Sequence, residues 1–265
     1  MTDFPLTFAD GALHADLKDG VAIITLSKPD SRNAMSKAMW IAVPKVMDAL
    51  AGDDRVKAIL LTGAGGNFCA GADISEFHAT YADAAAAREY NDLVEAGRLA
   101  LTNQPKPTLA ATPGYTVGAG CGLAMACDLR FADENTKFGM PPARLGAAYP
   151  FPGVRQMVSL IGPARAKDML YSGRLVDADE ALRIGLADRV FPAETLMDEA
   201  FSYLAGVTSL SSNSHRIAKQ VVGAILDGAD VETDDLRRLF DSAYVSDDFR
   251  EGYSAFLEKR KPVFK

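Results

Sequence analysis

Sulfur and imidazole are scarce: Cys69, Cys121 and Cys127 are the only cysteines, and His14, His78 and His215 the only histidines, in 265 residues. The cysteines sit in apolar or Gly-rich surroundings with no His or Cys partner at metal-ligand spacing, so no metal is expected and the setting is a reduced one. Long apolar runs are missing too, and none approaches the roughly 18 residues of a membrane span. The opening MTDFPLTFADGALHADLKDG has no basic segment leading into an apolar stretch, which points to the cytoplasm. Positive charge is outnumbered, with 28 Lys and Arg against 35 Asp and Glu and a net charge of -7. Broad nucleic-acid or acidic-membrane surfaces need clustered positive charge, so neither partner is expected, and any anionic ligand must be met by a local basic patch.

What is present is an ordinary globular composition, 48% hydrophobic and 24% charged, ample to bury a core. Val21 to Leu26 is a β-branched run bounded by Asp19-Gly20 and Lys28-Pro29, the pattern of a strand and turn. Met39, Val43, Val46, Met47 and Leu50 recur at helical spacing up to Gly52. Further strands are expected at Val56 to Thr62, Thr108 to Ala111 and Leu129 to Phe131, with an Ala-rich helix over about 82–101. Strands alternating with helices make this an α/β protein. Phe138 to Pro152, dense in Pro and Gly, is expected to be an irregular wall, with helices opening at Pro163 and at Asp177. Strand signal fades after Phe191-Pro192, which divides the chain into an α/β core, 1–200, and a helical C-terminal region, 201–265.

Two glycine loops each follow a strand and lead into a helix: Gly63 to Asp73, and Gly114 to Gly122. Glycine lets the backbone turn sharply and approach a ligand closely, and a helix start offers unpaired N–H groups with a positive dipole end. Two such loops can converge two donors on one oxygen. Neither has the Lys-Ser/Thr of a P-loop or the acidic residue that completes a dinucleotide fingerprint.

Asn33-Ala34-Met35, FCAGADISEF at Phe68 to Phe77, GYTVGAGCGLAMACDLRFA at Gly114 to Ala132, Phe138-Gly139 and FLEKRKPVF at Phe256 to Phe264 occur in the order of the crotonase (enoyl-CoA hydratase/isomerase) superfamily motifs. The chain resembles that superfamily over nearly its whole length. The resemblance implies a spiral of ββα units with a helical C-terminal trimerisation region, and an acyl-CoA substrate held by its thioester oxygen between the backbone N–H groups of Ala72 and Ala119. It also places Ala70, through its backbone, beside the CoA adenine, and Lys28 and Arg32 at the nucleotide. Phe256 and Lys259 match tail positions that touch the CoA of a neighbouring subunit, in a homotrimer or a hexamer built as a dimer of trimers. Coenzyme A is part of the substrate, and no separate cofactor is implied.

One departure from the pattern matters. The two glutamates that move protons in the family's hydratases fall at Gly122 and Pro142, neither of which has a side chain able to do so. A positioned acid or base is worth about 10²–10⁴-fold, so ordinary hydration is disfavoured. Tyr149, seven residues past Pro142, resembles a tyrosine of the family's methylmalonyl-CoA decarboxylases, which makes a lyase or isomerase reaction the favoured reading. Hydration by other proton-transfer groups, and a non-catalytic acyl-CoA-binding trimer, remain as alternatives. Glu76 and Asp73 are read as helix-terminus residues, His78 as solvent-facing, and Cys69 as lacking the paired base of a nucleophile. Arg144 and Arg155 are expected in structural ion pairs.

Overall fold

The aliphatic runs and helical repeats expected from the sequence appear in a computed structural model that describes residues 4–264. The strands are β1 (Leu6–Phe8), β2 (Leu13–Lys18), β3 (Val21–Leu26), β4 (Ala58–Gly63), β5 (Thr108–Thr112), β6 (Tyr115–Val117), β7 (Leu129–Asp133), β8 (Lys137–Gly139), β9 (Leu175–Asp177) and β10 (Arg189–Phe191). Between and after them run α1 (Lys37–Ala51), α2 (Phe77–Thr80), α3 (Ala84–Thr102), α4 (Ala119–Ala126), α5 (Phe151–Ser172), α6 (Ala178–Ile184), α7 (Leu196–Thr208), α8 (Ser212–Leu226), α9 (Asp234–Ala243) and α10 (Asp247–Leu257).

A seven-stranded sheet has the order β1-β2-β3-β4-β5-β7-β10, antiparallel as far as β3 and parallel from there on. A second sheet of three strands, β6-β8-β9, stands beside it. Because side chains alternate along a strand, β4 sends Ile59 and Leu61 to one face and Ala58 and Leu60 to the other. The first face packs on Met39, Val43, Val46 and Leu50 of α1 and on Leu123 of α4. The second is covered by Leu196, Ala200 and Leu204 of α7. Burial on both faces is why the parallel strands read as continuous apolar runs. Helix α1 starts where Ser36 accepts a hydrogen bond from the Met39 N–H at 3.3 Å.

Three features differ from the sequence reading. The helix expected to open at Pro163 is the second half of α5, which begins at Phe151 and kinks at Gly162 (φ 77°). Proline there lacks an N–H and so resembles a fresh helix start. The Gly114 to Gly122 loop contains a strand, β6, too short to show an alternation. Residue 200 falls inside α7, whose buried side chains belong to the α/β layer, so the exposed helical segment follows Thr208.

In that segment α8 and α9 bury no residue, and α10 buries only Ala255. Phe240, Tyr244, Phe249 and Tyr253 form an exposed file of rings in edge-to-face and tilted contact, with centroids 5.1, 5.1 and 5.5 Å apart. Among the described residues no helix is long and apolar enough to cross a membrane.

Candidate active site

Asn33 organises the site from underneath. It is fully buried in the left-handed region (φ 58°), which asparagine tolerates better than most residues. Its Nδ2 donates to the carbonyls of Ala64 (2.8 Å) and Asn67 (2.6 Å), and its Oδ1 accepts from the Lys28 N–H (2.9 Å). One amide therefore ties the turn after β3 to the first glycine loop. The loop is then stitched to the next segment: the Met35 N–H donates to the Gly71 carbonyl (2.8 Å) and the Asp73 N–H to the Met35 carbonyl (2.9 Å). In such a ladder the residue between faces the other way, and Ala72 is that residue. Its N–H donates to no acceptor among the described residues.

On the opposite side the Cys69 N–H donates to the Tyr115 carbonyl and the Val117 N–H to the Cys69 carbonyl, both at 2.9 Å. These bonds draw the two glycine loops together. A Cβ placed on Gly118 would lie 3.6 Å from the Gly71 Cα, and one on Gly120 would lie 2.2 Å from the Cys69 carbonyl oxygen. Gly118 also has φ 53° and ψ -114°, a conformation that a side chain would oppose. So the residues just past the contact, Ala72 and Ala119, are neighbours in space. Ala119 opens α4, and its N–H likewise has no acceptor among the described residues. Two amides without an acceptor among the described residues, one of them at a helix N-terminus, thus follow directly on the contact between the two loops, and such groups suit a developing oxyanion.

One turn further along α4, Gly122 meets Tyr149. The tyrosine hydroxyl lies 2.3 Å from where a Cβ on Gly122 would stand, and the ring edge lies 2.3 Å from the corresponding point on Gly153. Glycine at both positions makes the slot that the ring fills. The hydroxyl makes no hydrogen bond among the described residues, and burial pushes the phenol well above the ordinary tyrosine value, so it stays a neutral donor.

Residues 16–265 match the family model described as enoyl-CoA hydratase/isomerase. The chain belongs to that family. A protein of Mycobacterium tuberculosis named a probable enoyl-CoA hydratase is 38% identical over 250 residues, covering 92% of this chain and 94% of its own. A crotonyl-CoA hydratase of Syntrophomonas wolfei is 33% identical over 252 residues, covering 93% and 95%. The crystal structure of an enoyl-CoA hydratase/isomerase family protein from Hyphomonas neptunium superposes with a TM-score of 0.94 at 38% identity, covering 96% of this chain and 97% of that one. The crotonase-superfamily α/β fold follows from these matches together.

The other expected site residues of this family member are placed as follows. The Ala70 N–H is occupied by the Arg32 carbonyl at 2.9 Å, which leaves the Ala70 carbonyl available. Arg32 lies over the Tyr115 ring, 4.8 Å from its centroid. Lys28 pairs with Asp73 at 2.8 Å, and this lysine holds the Asp73 carboxyl below the usual carboxylate range. The pair therefore fastens the turn to the donor loop at neutral pH and weakens as the pH falls through the carboxylate range. Asp73 also accepts from the Ser75 N–H (3.1 Å), as expected for a helix-terminus residue. Glu76 serves a different helix from its own, accepting from the Lys37 N–H at the start of α1 (2.6 Å). His78 is exposed, and burial pushes the Cys69 thiol up to about 12, away from nucleophilic use.

Arg155 makes the expected structural pair, with Asp227 at 2.8 Å. Arg144 does not: it makes no ion pair among the described residues and packs over Gly173, where its Nε lies 3.1 Å from the position of a Cβ. Phe256 and Lys259 stand on the surface, and neither side chain bonds to the donor loops of its own chain. The anchoring by Asn33 escaped sequence reasoning because its signal, an Asn after a Pro-containing turn, marks any left-handed turn residue equally well.

Proposed function

We propose that this acyl-CoA enzyme stabilises a thioester enolate with the Ala72 and Ala119 amides, and that it generates the enolate by decarboxylating a malonyl-type thioester. The observation that carries the reading is Tyr149, whose unpartnered hydroxyl fills the space of a side chain at Gly122. A neutral phenol there donates to a substrate carboxylate and holds it out of the enolate plane. The bond from Cα to the carboxylate carbon then breaks, CO2 leaves, and the electron pair passes through Cα to the thioester oxygen. Water returns a proton to Cα. No protein base is needed for bond cleavage, which fits Gly122 and Pro142. Tyr149 is the third catalytic residue of this reading; Lys28, Arg32 and Ala70 meet the nucleotide.

Phe256 and Lys259 complete the CoA site of a neighbouring subunit in a homotrimer or a dimer of trimers. The exposed ring file on α9 and α10 supports this, because a monomer seldom leaves so much contiguous apolar surface in water. The three unpaired cysteines suit a cytoplasmic setting.

The names of the relatives favour a second reading, hydration of short enoyl-CoA thioesters, which requires proton carriers other than residues 122 and 142. Incubating the protein with methylmalonyl-CoA and with crotonyl-CoA, and separating the products, decides between them. Release of CO2 with propionyl-CoA is expected. Formation of 3-hydroxybutyryl-CoA alone, at an ordinary enzyme rate, would end the decarboxylation reading.

A further inference from the structure

Behind Tyr149 lies a bonded polar cluster that none of the roles above uses. Arg98 on α3 is only 8% exposed, yet all three of its guanidinium nitrogens are hydrogen-bonded. It grips Glu95 through Nε (3.0 Å) and Nη2 (2.7 Å), and its Nη1 donates to the Gln156 Oε1 (3.3 Å) and to the Thr102 hydroxyl (3.5 Å). Gln156 in turn donates through Nε2 to the Met125 carbonyl at the end of α4. Three helices, α3, α4 and α5, are thus clasped at one point.

The clasp is in register with the site. Gly122 and Met125 are three residues apart on α4, and Gly153 and Gln156 are three apart on α5, so each pair shares a helix face. The first member of each pair touches Tyr149 and the second belongs to the clasp. With a rise of 1.5 Å per residue, Tyr149 lies about 4.5 Å along α4 from Ala119, and the clasp about 9 Å along it. Electrostatics agree with this proximity. Burial dominates the Tyr149 phenol, but the Arg98 guanidinium acts on it downward and the Glu95 carboxylate upward.

We propose that Glu95, Arg98 and Gln156 form the floor of the acyl pocket and restrict the enzyme to short acyl groups. The proposal rests on the thioester oxygen lying at Ala72 and Ala119, and it names the substrate class within that reading. An acyl chain that runs past Tyr149 along α4 meets bonded charge instead of apolar wall. To go deeper it must pull Gln156 off both partners, taking one hydrogen bond from a buried guanidinium and one from the Met125 carbonyl, and must cover the part-exposed Glu95 with hydrocarbon. Thr102, bonded to the Arg98 backbone as well as its side chain, holds the arginine in place.

Equilibrium binding of propionyl-CoA and octanoyl-CoA by calorimetry tests this without reference to turnover. Octanoyl-CoA is expected to bind at least about tenfold more weakly than propionyl-CoA, against the usual trend in which added methylenes tighten binding. In Gln156→Ala, and in the double variant Glu95→Ala with Arg98→Ala, which leaves neither charge unpaired, that ratio is expected to shrink. Octanoyl-CoA binding as tightly as propionyl-CoA in the wild type overturns the proposal, as does a wild-type ratio that persists in both variants. The wild-type ratio decides even where a variant fails to fold. If neither thioester binds at all, the acyl-CoA reading itself fails; if both bind and crotonyl-CoA is hydrated, only the decarboxylation reading fails.

Discussion

Replacing Ala119 by proline is expected to lower turnover of an enolate-forming substrate by about 10²–10³-fold, the usual effect of deleting one oxyanion donor. The substitution is informative because it should cost the fold little. Ala119 is the first residue of α4, a position where proline's fixed φ is favourable and its missing N–H would be unpaired in any case. The residue before it is Gly118, which escapes the steric restriction that proline imposes on a preceding side chain. In this chain the Ala119 N–H has no acceptor among the described residues, so no internal hydrogen bond is lost. The expected result is a melting temperature close to wild type, acyl-CoA binding largely retained, and a collapse in kcat. Unchanged kcat would mean that the amide is not a donor to the reacting oxygen.

Tyr149→Phe is expected to reduce kcat/KM for methylmalonyl-CoA by about 10- to 100-fold, because a hydrogen bond to a charged group is worth about 1.5–3 kcal/mol. The ring keeps its slot between Gly122 and Gly153, so only the hydroxyl is removed. Propionyl-CoA, which has no carboxylate for the phenol to hold, should bind equally well to both forms. That difference separates a group that touches substrate from a wall residue, whose loss would affect neither ligand. The pH profile gives a second sign. Burial raises the Tyr149 phenol, so the neutral donor persists above the ordinary tyrosine value of about 10, and activity should show no falling limb there. A limb at that ordinary value, absent from the phenylalanine variant, would contradict the raised phenol.

The loop contacts around the candidate site were legible wherever they depend on backbone and local sequence. The glycines at 71, 118 and 120 are needed because two loops approach within van der Waals distance, and a requirement for no side chain is visible in a sequence. Ser36 before α1 and Asp177 before α6 are capping residues readable as such. The contacts that a sequence could not reveal are those between distant elements. Arg98 lies in an Ala-rich helix and looks like an ordinary surface partner of Glu95 three residues earlier. Only the packing of α3 on α4 and α5 buries it beside Gln156. Glu76 looks like the first-turn acid of its own helix, yet it caps α1, because the Met35 to Ala72 pairing brings the two starts together. The kink at Gly162 hid the first half of α5, since a Gly-Pro step reads locally as an end followed by a beginning.

The central claim is that the Ala72 and Ala119 amides polarise a thioester carbonyl. Infrared difference spectroscopy of propionyl-CoA labelled with 13C at the thioester carbon observes that bond directly in the complex. The account predicts that the labelled carbonyl stretch moves to lower wavenumber on binding to the wild type, and that most of the shift is lost in Ala119→Pro while the ligand stays bound. A stretch at the free-ligand position in the wild-type complex would contradict it.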